Sequence, residues 1–341
     1  MTQASEHSPL SRRSLLAGLA AMATTLTGSL SVAERAAACD VALANTEAIP
    51  KGVTGTRLVI LGSGAGPSPM LPGRTRHMAS NVMVSNGAAY VLDCGLGVTN
   101  QFARSGASFT NIRSIFITHH HPDHNIEYGP LLLLGWAQGM PNPVRAFGPP
   151  PLKQMTEDFL RAYEETIDLW AEDFNVKALL PPQVSEISTP GAVAEDENVK
   201  VTASIVQHPP VRPALAYRFD FRDRSIVFSG DTAPTQNVAK LAEGADVLVH
   251  EAMYTPALDK FLHNRIAQGA RTQYSDFMAH MKAVHSPVEE VGRIAQESGV
   301  KTLVLTHLTP SIDGISDDTW RSMAAQRFKG NIVVARDLMV L

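Results

Sequence analysis

Between Thr118 and His124 the chain reads Thr118-His119-His120-His121-Pro122-Asp123-His124, directly after the apolar run Ser114-Ile115-Phe116-Ile117. Four imidazoles and a carboxylate on one short loop serve no purpose in packing a core. They fit a metal site. Neutral imidazole nitrogen and carboxylate oxygen suit zinc, and a loop leaving a buried strand can aim alternate side chains into one cavity. On this spacing His119 and His121 face one ion, while Asp123 and His124, after the turn set by Pro122, face a second. The run of β-branched and aromatic residues before the cluster predicts a strand, so the site is expected at a strand end.

Over 341 residues, 44% of them hydrophobic, the chain has no charged tract and no low-complexity repeat, so it can bury a large core as one globular domain. A formal net charge of −4 and the lack of a basic stretch interleaved with aromatics exclude the electrostatic footprint of a nucleic-acid binder. The expected partner is therefore a small molecule. Cys39 and Cys94 stand in such different contexts that no disulfide framework is expected.

Ser11-Arg12-Arg13-Ser14-Leu15-Leu16 precedes an Ala/Leu/Thr-rich run to about Ala33, and Ala36-Ala37-Ala38 follows. That order of basic region, apolar region and small-residue cleavage site predicts a twin-arginine signal peptide over 1–38, with the twin-arginine translocase as a partner and the periplasm as destination. Cleavage there leaves Cys39 first, but Glu34 and Arg35 interrupt the apolar run and weigh against a lipoprotein. No other segment reads as a membrane span. Residues 39–54 read as a linker and 55–341 as the catalytic domain, compatible with a homo-oligomer.

Within that domain Arg57 to Leu61 predicts a strand ending in Gly62-Ser63-Gly64-Ala65-Gly66. Pro67, Pro69 and Pro72 stand where a helix should begin, which rejects a dinucleotide-binding loop. Further strands are predicted at 81–84, 89–93, 114–117, 144–147, 199–208, 216–221, 225–229, 247–249, 302–306 and 332–335. Helices are predicted at 128–138 and 288–298, and an acidic helical insertion over about 150–187. Strand clusters in each half with helices between fit two sheets packed face to face with helices outside. Trp136, Tyr163 and Trp170 are candidates to line an aromatic-accepting pocket.

His119-x-His121-x-Asp123-His124 resembles the signature of the metallo-β-lactamase superfamily. Val206-Gln207-His208, Ser229-Gly230-Asp231-Thr232, His250-Glu251-Ala252, His285-Ser286 and Leu305-Thr306-His307 resemble its ribonuclease Z and arylsulfatase-like branch, as do Asp93-Cys94-Gly95 and Gly148-Pro149. The resemblance implies an α/β fold, a four-layer αββα sandwich with the site at one edge of the two sheets. It implies that His119, His121 and His208 hold one Zn2+, that Asp123, His124 and His307 hold another, and that Asp231 bridges them; Mn2+ or Fe would fit the same ligands. Between two such cations, water becomes a nucleophile at neutral pH. Asp123 and His285 are the catalytic residues the resemblance implies, His285 as proton donor to the leaving group. Pro287 departs there from the usual threonine. His120 is expected to point away from the metals, and His250 with Glu251 to orient a ligand.

The activity so implied is hydrolysis of a small anionic ester, a phosphodiester or an aryl or alkyl sulfate. Lactones, thioesters and other carboxylic esters are the alternatives on the same site, and a non-hydrolytic di-iron protein is the alternative on the same fold. Asp231 supplies the bridging aspartate that true β-lactamases of the superfamily lack. Acidic residues outnumber basic ones in the helical insertion, which disfavours a tRNA-processing nuclease.

Overall fold

Apolar runs buried on both faces become the central strands of two sheets. Arg57–Gly62 illustrates this: Leu58 and Ile60 enter the core between the sheets, whereas Val59 and Leu61 pack outward under helices. The computed structural model describes residues 55–66, 76–269 and 273–341. The expected signal peptide, the linker and Cys39 lie outside the described residues.

The first sheet contains β1 (Arg57–Gly62), β2 (Ser80–Ser85), β3 (Ala88–Cys94), β4 (Ile112–Phe116), β5 (Arg145–Gly148) and β6 (Gln183–Glu186). The second contains β7 (Gly191–Glu195), β8 (Val199–His208), β9 (Val211–Phe221), β10 (Ser225–Phe228), β11 (Val247–Met253), β12 (Thr302–Thr309) and β13 (Asn331–Val334). A last strand, β14 (Met339–Val340), returns to pair with β1. Spatial orders are β14-β1-β2-β3-β4-β5-β6 and β13-β12-β11-β10-β9-β8-β7. Each sheet is part antiparallel meander and part parallel, β3 to β6 and β10 to β13 being the parallel runs. Parallel neighbours need crossovers, and helices supply most of them on the outer faces.

Phe116, Phe147, Tyr217 and Phe219 fill the space between the sheets with stacked and edge-to-face rings. Outside the first sheet lie α1 (Val98–Arg104), α2 (Pro122–Asn125) and α3 (Tyr128–Ala137). Two inserted helices follow, α4 (Leu152–Ala162) and α5 (Glu164–Phe174). Covering the second sheet are α6 (Gln236–Leu241), α9 (Val288–Ser298) and α10 (Asp317–Ala324), with Val291, Ile294 and Trp320 packed on Leu248 and Leu303. This is the expected four-layer αββα sandwich. The insertion differs in one respect: its tail is β6, which joins the first sheet beside β5. Between β11 and α9 stand two helices the pattern reading missed, α7 (Thr255–Ala267) and α8 (Tyr274–Val284).

Candidate metal centre

Two β-bulges set the centre. β2 and β3 pair Ser80 with Cys94 but Asn81 with Leu92, so Asp93 is the extra residue, with φ of 60°. β11 and β12 pair Glu251 with Thr306 but Ala252 with Leu308, so His307 is extra, with φ of 44°. A bulge residue in the left-handed region turns its side chain out of the ladder, at a backbone cost the surrounding structure must offset. Both side chains turn into the space where β4 ends.

Asp93 organises the histidine loop from below. Its carboxylate accepts from Thr118 N at 2.8 Å, from Thr118 Oγ1 at 2.9 Å and from His124 Nδ1 at 2.8 Å. Because His124 donates through Nδ1, its Nε2 is left with a lone pair facing the centre. Thr118 Oγ1, having given its proton to Asp93, is left to accept from His119 Nδ1 at 3.1 Å. His208 Nδ1 donates to Val284 O at 2.9 Å, a carbonyl that can only accept. Hydrogen-bond roles therefore assign bare Nε2 atoms to His119, His124 and His208.

Those bare atoms converge in two sets. His119 Nε2 lies 3.2 Å from His121 Nδ1, which lies 3.0 Å from His208 Nε2. Asp123 Oδ2 lies 3.2 Å from His307 Nε2 and 3.9 Å from His124 Nε2. Asp231 stands between, with Oδ1 3.3 Å from His124 Nε2 and Oδ2 3.4 Å from His307 and 3.9 Å from His119. His124 Nε2 and Asp231 Oδ1 are fully buried without a hydrogen-bond partner, a costly state for polar atoms and one that a cation would relieve. All seven residues expected as ligands thus meet within one space, and the donor set fits divalent metal.

Electrostatics agree. Burial lowers the pKa of His119 well below its usual value, aided by neighbouring His124, so its imidazole is neutral, the form that binds metal. Burial opposes charge on His124 too, yet Asp231, Asp93 and Asp123 outweigh it and raise its pKa, so these carboxylates favour positive charge at Nε2, which a metal ion would supply in place of a proton. Burial would raise the Asp123 carboxyl, but His124 and His307 hold it well below the carboxylate range. The field of the site attracts cations.

His285 stands beside the centre with its side chain 11% exposed, its Nδ1 3.0 Å from Glu251 Oε2 and 3.9 Å from Asp231 Oδ2. Burial depresses its pKa, but Glu251 and then Asp231 outweigh burial and push it up to about 9. Glu251 is itself fixed by Thr232 N at 2.8 Å and Ser286 N at 3.3 Å. The expected orienting role thus belongs to Glu251 and is exercised on His285. Among the described residues His250 makes one side-chain hydrogen bond, Nδ1 to the Glu251 carbonyl, and its Nε2 is buried without a partner. His120 points away as expected, with Nε2 2.8 Å from Pro149 O.

In front of the metal-facing groups lies a cavity of about 420 Å³ reached by His121, Asp123, Asp231, His285 and His307. Its far wall is the α7–α8 pair, through Leu258, Phe261, Leu262, Phe277 and Met281. The three aromatics expected to line a pocket do not reach it. Trp136 is buried against Ile167 and Leu179, donating to Lys177 O at 3.1 Å, and Tyr163 and Trp170 are exposed on the inserted helices. Gly66 closes the opposite side and explains the glycine run: its N–H donates to Asp123 Oδ2 at 2.7 Å, and a Cβ there would lie 2.1 Å from Asp123 Cβ.

Two donor sets at the strand ends of an αββα sandwich define a class, the metal-dependent hydrolases. The chain belongs to the metallo-β-lactamase superfamily: the family described as the beta-lactamase superfamily domain matches residues 89–308. Ribonuclease Z of Mycobacterium marinum is 31% identical over 285 residues, spanning 82% of this chain and 96% of that relative. Among solved structures, the short form of human tRNase Z matches 84% of this chain and 98% of its own at a TM-score of 0.59 and 23% identity. The metallo-beta-lactamase fold protein YhfI from Bacillus subtilis matches 84% and 99% at a TM-score of 0.60 and 19% identity. No helix among the described residues is long and apolar enough to cross a membrane.

Proposed function

We propose that His119, His121 and His208 hold one zinc ion, that Asp123, His124 and His307 hold another with Asp231 bridging, and that the enzyme cleaves a small anionic ester. The ester is a phosphodiester or an aryl or alkyl sulfate. One observation carries this reading: two donor sets sharing Asp231 open onto a cavity of about 420 Å³, the size of a small-molecule site. Divalent cations held by those sets would polarise an ester oxygen and acidify water. Residues of the chain do the rest. Asp123, anchored through Oδ2 by Gly66 N, has Oδ1 left to take up the proton of the attacking water. His285, aligned through Nδ1 by Glu251, has Nε2 left to protonate the leaving oxygen as its bond to phosphorus or sulfur breaks.

Cleavage of an RNA phosphodiester is the second reading, favoured by the name of the mycobacterial relative and its length of match. Charge favours the small substrate. On α4 and α5, Glu157, Asp158, Glu164, Glu165, Asp168, Glu172 and Asp173 face only Lys153 and Arg161, the wrong balance for tracking phosphates. A panel on one metal-analysed preparation decides: nitrophenyl phosphodiesters, sulfates, carboxylic esters, a lactone and a tRNA precursor. Small anionic esters turned over fastest, and silenced by chelation, support the proposal; preference for the RNA overturns it.

Export to the periplasm by the twin-arginine route is part of the same proposal and rests on the Arg12-Arg13 pair before an apolar run. Replacing both by lysine should hold the folded protein in the cytoplasm. Unchanged periplasmic yield sinks that part.

A further inference from the structure

Helix α7 shows the cavity Leu258, Phe261, Leu262 and Arg265, the i, i+3, i+4, i+7 spacing of one helix face. Three positions of this stripe are apolar and the fourth is a guanidinium. The helix starts at the metal centre: Met253 N donates to Ser286 O, next to His285, and Tyr254 N donates to Thr309 O on the His307 strand. Arg265 comes seven residues after Leu258, roughly 10 Å of helical rise further out, at the solvent rim of the cavity.

Arg265 has no ion-pair or hydrogen-bond partner among the described residues. Nor does the cavity offer one. Among its described lining residues the only acidic side chains are Asp123 and Asp231, both committed to the metal centre, and Arg265 is the only lysine or arginine. A planar guanidinium at the end of an apolar wall, with its donors unspent, matches a carboxylate, sulfonate or phosphate bidentately.

Building on the small-ester reading above, we infer that Arg265 is a specificity-determining residue that holds a second anionic group of the substrate. The substrate class is then an ester with an apolar, aryl-sized body between its scissile group and a terminal anion. The body lies along Leu258, Phe261 and Leu262, the scissile group meets the metal centre, and the terminal anion meets Arg265.

The test compares two diesters with the same nitrophenolate leaving group: 4-nitrophenyl phenyl phosphate, and its analogue with a carboxylate para on the phenyl ring. Metal-loaded wild-type enzyme should favour the carboxylated diester in kcat/KM by about 10- to 100-fold, the usual strength of a charged hydrogen-bonded pair. Arg265→Gln should bring that ratio near one, Arg265→Lys should keep part of it, and Arg265→Glu should invert it. Arg265 is exposed in the last turn of its helix, where these side chains are accommodated. Calorimetric titration with benzylphosphonate and 4-carboxybenzylphosphonate, which the enzyme cannot hydrolyse, should show the same dependence on Arg265. A wild-type ratio near one in both assays, or a ratio unchanged in Arg265→Gln, overturns the inference. Arg265-dependent binding without turnover of either diester upholds the assignment of Arg265 and sinks the hydrolytic reading instead.

Discussion

At the residue scale the centre divides its work between groups that can be separated by substitution. Asp231 is the carboxylate that faces both donor sets, so Asp231→Ala would remove the group proposed to screen one cation from the other. The expected result is loss of at least one metal equivalent, with turnover falling by orders of magnitude. Two retained equivalents with near-normal turnover would refute the bridging role. His285 lies 3.9 Å from Asp231 and packs its ring against His208 and His307, but its Nδ1 is held by Glu251 and it is not one of the expected ligands, so His285→Ala should leave metal content intact. Its effect depends on the leaving group. Nitrophenolate departs without a proton whereas an alkoxide does not, so the variant should slow an alkyl ester by about 10²–10⁴-fold and a nitrophenyl ester of the same acid only slightly. Equal loss on both would remove His285 from proton transfer.

At the scale of elements, much of the site is made by loops whose backbone comes unusually close. Gly66 shows this best, because the Cβ of Gly66→Ala would sit 2.1 Å from Asp123 Cβ and must displace the loop or α2. A shift of about 1 Å at a reacting group costs about 10²-fold, so kcat/KM should fall by that order while the circular dichroism spectrum is kept. A Gly66→Ala enzyme of normal activity would show that the loop yields freely. The ligands were legible in sequence because histidine and aspartate at His119, His121, Asp123 and His124 have no packing explanation, and strands such as β4 announce themselves by apolar runs. Asp93 was legible only as part of a block, since nothing in its neighbours says that a bulge gives it positive φ. β6 and β7 are short edge strands with mostly exposed or half-buried residues, so no alternation marks them. The α7–α8 pair carried a readable stripe in Leu258, Phe261 and Leu262. Its meaning as a cavity wall exists only once both helices fold back over the strand ends.

At the scale of the whole molecule the proposed metal centre would act as a clasp between the sheets. His119, His121, Asp123 and His124 follow β4 of the first sheet, whereas His208, Asp231 and His307 come from β8, the end of β10 and β12 of the second. Between the sheets the contact is apolar, through residues such as Phe116 and Phe219. At the edge it is a set of lone pairs and carboxylates that need positive charge. Ions held at this edge would bind the folded chain and not the unfolded one, so each would stabilise by mass action, about 2.7 to 4.1 kcal/mol when free metal is 100 to 1,000 times its dissociation constant. For a domain of this size two such ions together correspond to roughly 9–14 °C in Tm. Chelation followed by desalting should therefore lower Tm by that amount without abolishing the fold, because the aromatic core remains. Returning zinc should restore both Tm and turnover. In Asp231→Ala, which lacks the bridge, the Tm increment from zinc should shrink towards that of a single ion. A chelated wild-type enzyme that melts at the same temperature as the loaded one would show that the two sheets are held without metal, and the clasp would have to be given up.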